Sequence, residues 1–81
     1  MTKKYLNELK IGEIGKIVSL EGEEGIKRRL FDIGFIPGTE IECVLKSPFK
    51  DPIAYFIRGT LIALRGVNAK NILVEVGCNE G

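Results

Sequence analysis

Histidine is absent from the chain, and that removes much of the chemistry a small domain can host. No Ser–His–Asp or Cys–His pair can form, and no imidazole can ligate a metal. The soft nucleophiles are two cysteines, Cys43 and Cys78, far apart in sequence and with no Cys-x-x-Cys spacing. Cys43 alternates with Ile41 and Leu45, the setting of a buried core thiol rather than a ligand. Cys78 lies in the tail and reads as an incidental exposed thiol. Such usage fits reduced thiols, not a disulfide framework. The densest carboxylate group is Glu21, Glu23 and Glu24. It could hold a hard cation, but the same residues suit the start of a helix, where the dipole favours anions. The glycines lack P-loop spacing and its Lys-Ser/Thr ending. No activated group is in view, so the expectation is a non-enzyme with no cofactor and no tight metal site.

One charge cluster remains, the triplet Lys27, Arg28 and Arg29. Glu23, Glu24 and Asp32 surround it, and the few aromatics are not interleaved with the cations as a base-stacking platform needs. Twelve Lys and Arg oppose eleven Asp and Glu, a net charge of +1, whereas dedicated nucleic-acid binders carry a strong basic excess. A solvated helix face is the plain reading. Nucleic acid is not the expected partner, which leaves a protein.

The element that must carry this triplet is a short helix. Ile26, Leu30 and Ile33 recur at i, i+4 and i+7 and share one face. Glu23 and Glu24 precede Lys27 and Arg28 by four residues, the favourable order for ion pairs. Gly34 predicts a left-handed stop of Schellman type, with Phe35 turning back onto Leu30. Pro37 and Gly38 then suit positions two and three of a type II turn. From Thr39 the period changes to two.

Residues 1–4 read as a polar lead-in, and Leu6, Leu9 and Ile11 as one helical turn ended at Gly12. Gly15 to Leu20 reads as a strand, with Lys16, Val18 and Leu20 on one side and Ile17 on the other. Ile41, Cys43 and Leu45 form the apolar face of the next strand. Ser47 to Pro52 is a loop held extended by a proline at each side. Ile53 to Arg58 and Leu61 to Arg65 form a hairpin around Gly59-Thr60, a type II′ signal that pairs Phe56 with Ala63. A helical turn at 66–71 leads into a last strand from Ile72 to Val76, and 77–81 is a tail.

The 81 residues make one domain. Its class is mainly β with one short helix. Five short strands cannot build two respectable sheets, so a small SH3-like β-barrel, closed to remove its edges, is the expected architecture. No apolar run approaches the ~20 residues that cross a bilayer, and no signal-peptide pattern opens the chain. The expected location is the cytoplasm.

Several pieces then fall in one order: Leu6-x-x-Leu9, Gly12-x-x-Gly15, the block from Lys27 through Arg28, Arg29, Leu30, Asp32, Ile33, Gly34, Phe35, Pro37 and Gly38 to Thr39, Ser47-Pro48-x-x-Asp51-Pro52, Arg58-Gly59, Ile62 to Arg65, and Ala69-x-x-Ile72-x-Val74. Together, over about residues 5–76, they resemble the ferrous-iron transport protein A (FeoA) family. The resemblance implies an SH3-like barrel in a small cytoplasmic protein that supports Fe(II) uptake by the membrane transporter FeoB, without inserting into the membrane itself. The same fold also serves as a domain of iron-dependent repressors. A free-standing regulatory domain acting with such a repressor is the alternative. Where family members often carry Gly between the loop prolines, this chain has Lys50.

The residues expected to meet a partner are Lys27, Arg28, Phe31, Phe49 and Lys50. Phe31 lies about 140° from Ile26 on the helical wheel, between two cations, the composition favoured at interface centres. It is either such an anchor or a residue covered by the Tyr5–Leu9 turn or the loop around Phe49. Gly34, Pro37, Gly38, Pro52 and Gly59 are assigned structural turns.

Overall fold

The computed structural model describes residues 2–49 and 51–77. The elements are β1 (Thr2–Tyr5), a single 3-10 turn (Leu6–Glu8), β2 (Ile14–Leu20), α1 (Glu24–Ile33), β3 (Glu40–Lys46), β4 (Ile53–Ile57), β5 (Thr60–Leu64), α2 (Gly66–Ala69) and β6 (Ile72–Val76). Every ladder is antiparallel, and the strands lie in the order β1-β6-β2-β3-β4-β5. This is the SH3-like, mainly β architecture with one short helix that the sequence predicts, but among the described residues hydrogen bonds do not join β1 to β5, so the ladder has two edges.

β1 corrects the reading of residues 1–4 as a lead-in. Thr2 pairs with Val76 and Tyr5 with Leu73, so the segment is an edge strand. Its side chains are polar, and its backbone supplies the order. Leu6 and Leu9 then plunge fully into the core, while Ile11 remains exposed. The Leu6 carbonyl accepts two bonds, from the Leu9 amide at 3.1 Å and from the Tyr55 hydroxyl at 3.1 Å. The N-terminal turn is thereby tied to β4, and the phenol is buried without an unmet donor. Burial pushes the Tyr55 hydroxyl pKa well above its ordinary value.

The helix ends as its residues require. Gly34 has φ +129°, and its amide bonds Phe31 O at 3.1 Å while the Phe35 amide bonds Leu30 O at 3.0 Å. Those are the two bonds of a Schellman ending. Leu30 and Phe35 are buried together in the core. The Thr39 amide closes the Pro37-Gly38 turn onto Ile36 O at 3.1 Å, with Gly38 at φ +95°. The inner face of α1 is narrower than the periodicity predicts. Leu30 is buried and Ile26 packs against the core, but Ile33, the last helical residue, is 46 % exposed beside β5.

Two bulges rephase the strands. Cys43 pairs with Tyr55, yet Leu45 pairs with Ala54, so Val44 is the extra residue. An extra residue moves every later side chain to the opposite face. Ile41 and Cys43 are buried as expected, whereas Leu45 is 60 % exposed. Likewise Val18 is left over between Ile17–Val74 and Ser19–Leu73 in the β2–β6 ladder. The shift lets both Ile17 and Leu20 pack with the core although they are three apart. Cys43 is fully buried, and desolvation raises its thiol pKa.

The hairpin differs from the type II′ expectation. Ile57 pairs with Thr60 and Phe56 with Leu61, not Ala63. The loop is therefore Arg58-Gly59, and both residues have positive φ, +52° and +79°. That is the signature of a type I′ turn. Arginine in the left-handed region is uncommon, which explains why the glycine pointed one residue too far along. The loop from Ser47 to Pro52 closes through Ser47 N–H to Pro52 O at 3.3 Å. Asp51 accepts the Gly66 amide at 2.7 Å and so holds the start of α2.

Candidate functional site

No group of three or more Cys, Asp or Glu residues converges to hold a metal among the described residues. The acidic trio is spread over separate tasks. Glu21 accepts the Tyr5 hydroxyl at 2.8 Å, and this bond raises the Tyr5 pKa. Glu23 stands at the helix N-cap, and Glu24 pairs with Lys27 at 3.3 Å. That pair is i,i+3, in place of the two i,i+4 pairs expected; among the described residues Arg28 has no ion-pair partner.

What the fold does build is a groove of about 470 Å³ between the helix and the end of β2. Its walls are Glu24, Lys27, Arg28 and Phe31 from α1, Val18, Ser19 and Leu20 from β2, and Pro37 from the type II turn. Helical spacing explains the α1 wall. Residues 24, 27, 28 and 31 are related by three and four and form one stripe, turned away from the Leu30 stripe. The bulge supplies the opposite wall, because Val18 has no cross-strand partner on β6. Phe31 is 49 % exposed, so its ring is half sheltered by the groove and half offered to solvent.

The groove has an apolar floor and a charged lip. Lys27 is partly neutralised by Glu24, whose side chain is almost fully exposed, so this pair is weak. Arg28 keeps its full donor set. An aromatic beside an unpaired guanidinium can bury an apolar anchor and bind a carboxylate in two-pronged fashion.

Three of the five expected contact residues, Lys27, Arg28 and Phe31, thus line one site. Phe49 does not line it; it is 89 % exposed in the loop after β3. Lys50 lies outside the described residues. Sequence reasoning missed Val18, Ser19, Leu20, Glu24 and Pro37 as walls of the groove. Pro37 was legible as a turn, and its place in the wall follows only once the turn is folded against α1. A bulge at Val18 has no local signature in an Ile-Val-Ser-Leu run.

No helix among the described residues is long and apolar enough to cross a membrane. The FeoA domain family matches residues 4–76. The chain is similar to a Fe(2+) transport protein A/Fe(2+) transporter FeoB fusion protein of Porphyromonas gingivalis, 35 % identical over 71 residues, which are 88 % of this chain but 8 % of the fusion. Among solved structures it is similar to a FeoA-like protein from Clostridium acetobutylicum, 39 % identical, with a TM-score of 0.90 over 100 % of this chain and 95 % of that one. Stenotrophomonas maltophilia FeoA, described as a prokaryotic SH3 domain protein complexed with zinc, is 31 % identical with a TM-score of 0.77 over 88 % of each chain. With the family match spanning nearly the whole barrel, the chain belongs to the FeoA family, which is linked to ferrous-iron transport.

Proposed function

We propose that this domain is a non-catalytic, cytosolic adaptor that regulates a FeoB-type ferrous-iron transporter by docking onto the transporter's cytosolic face. The observation that carries this reading is the fusion of a related sequence to FeoB in a single Porphyromonas gingivalis chain. Joining two modules raises their effective concentration to the order of millimolar, so such a tether favours modules that work in contact. The groove lined by Phe31, Arg28 and Lys27 is the docking surface in this reading. In this reading the domain acts by differential binding, favouring one conformation of the transporter over another.

The test uses the domain as bait for detergent-solubilised membranes that contain a FeoB-type transporter. The transporter should be retained by the wild-type domain and released by Phe31→Ser. A folded wild-type bait that retains no transporter at any salt concentration overturns the reading.

A further inference from the structure

The ladder ends in two edges of opposite character. β1 carries Lys3 and Lys4, the kind of charge that natural edge strands use against unwanted pairing. β5 has none of these protections. Its five residues, Thr60-Leu61-Ile62-Ala63-Leu64, include no charge and no proline, and its register with β4 is unbroken by a bulge. In a two-residue hairpin the residues flanking the loop exchange hydrogen bonds, and alternate residues then follow suit. Ile57–Thr60 is that flanking pair, so Thr60, Ile62 and Leu64 bond β4. The amides and carbonyls of Leu61 and Ala63 point to the open edge. Both residues are exposed, Leu61 by 61 %.

We infer that β5 is a self-association edge, at which a second copy of this chain pairs antiparallel about a two-fold axis through Ile62. That register pairs all five residues of the strand. Leu61 faces the partner's Ala63 and Ala63 faces the partner's Leu61, and each couple exchanges two main-chain bonds. The outward groups of the two strands therefore satisfy one another. On the outer face the Phe56–Leu61 apolar row continues across the joint. On the inner flank, a hollow of about 280 Å³ lined by Ile33, Gly34, Ile57, Arg58, Thr60 and Ile62 takes the partner's Ile62.

Charge fits the same register. Arg58 comes opposite the partner's Gly66 and Arg65 opposite the partner's Gly59, so the arginines stand diagonally to one another rather than face to face. Asp51 accepts the Gly66 amide at 2.7 Å and lies 4.0 Å from its own Arg65, so one carboxylate stands between that arginine and the other copy's Arg58. A single strand-to-strand contact falls below the ~1,200 Å² of a standard interface, so the dimer is weak and concentration-dependent. This pairing is independent of transporter docking at the α1 groove.

Sedimentation of the full chain across a concentration series up to about 1 mM tests it. The wild type should show a monomer–dimer equilibrium. Ala63→Pro removes an outward donor from each copy while leaving the β4 bonds, since proline is tolerated where its nitrogen faces away from the ladder. Its dimer Kd should rise at least about tenfold, from the loss of two of the four new bonds. Leu61→Lys places a charge on the edge and should do the same with an unchanged circular dichroism spectrum, so it decides the matter if the proline variant fails to fold. In hydrogen exchange, the Leu61 and Ala63 amides should gain protection only at high concentration. A wild type that stays monomeric throughout, or a dimer indifferent to Leu61→Lys, overturns the inference.

Discussion

Replacing Phe31 with serine separates what the residue does for the fold from what it does for a partner. Full burial of a Phe side chain stabilises by about 1.5–3 kcal/mol. With the residue 49 % exposed, about half of that is at stake, or roughly 0.8–1.5 kcal/mol. No cavity term is added, because the site opens directly to solvent. Urea denaturation followed by circular dichroism should therefore show a small drop in midpoint with an unchanged slope. Transporter binding should weaken by roughly 2 kcal/mol or more, the loss expected of a hot-spot aromatic, which is about thirtyfold in Kd. Both are measured on the same preparation, with binding read by biolayer interferometry on detergent-solubilised transporter. A stability loss of 3–5 kcal/mol would be a core value and would refute the half-sheltered geometry. A folded variant with undiminished binding would remove Phe31, and the groove with it, from the contact surface.

Gly34→Val should cost about 1–3 kcal/mol, seen as a lower denaturation midpoint; no atom lies within 4 Å of its added Cβ, so the loss would be pure backbone strain at φ +129°, and an unchanged midpoint would refute a glycine requirement. Glu13 accepts the Lys10 amide at 2.9 Å, and that bond, helped by Lys4, holds its carboxyl below the usual value. Its stabilisation is therefore complete above the unfolded-state pKa of 4.5 and is lost as pH falls through the lower folded-state value. Glu13→Gln should flatten the acid limb of the stability profile, and an unaltered limb would assign the acid sensitivity elsewhere. Anaerobic calorimetry of the domain with Fe(II) should show no stoichiometric site tighter than roughly 1 μM; finding one would overturn the expectation drawn from a chain without histidine.

Sequence periodicity identified the elements that rest on local chemistry. The Gly34 stop, the Pro37-Gly38 turn and the buried Ile41–Cys43 and Ile72–Val74 pairs all follow from neighbours a few residues away. What escaped depends on distant partners. β1 has no apolar signal because its order comes from β6, at the other end of the chain. The bulges at Val44 and Val18 are set by the strands opposite, so alternation alone carried Leu45 to the wrong face. The hairpin was displaced because Arg58, not only Gly59, takes a positive φ. At the groove, the α1 stripe was readable from helical spacing, while the β2 wall exists only through the Val18 bulge.

The pairing of Thr2 with Val76 has a consequence for how the barrel can travel. Antiparallel partners stand about 4.5–5.5 Å apart at their Cα atoms, so the polypeptide enters and leaves this fold at practically one point. A host protein can therefore carry the barrel at either terminus or within a surface loop, with almost no separation forced between its own flanking residues. Nothing inside the barrel has to stretch or reorder to permit the graft. Evolution can move such a unit between separate and joined forms with changes confined to the linker.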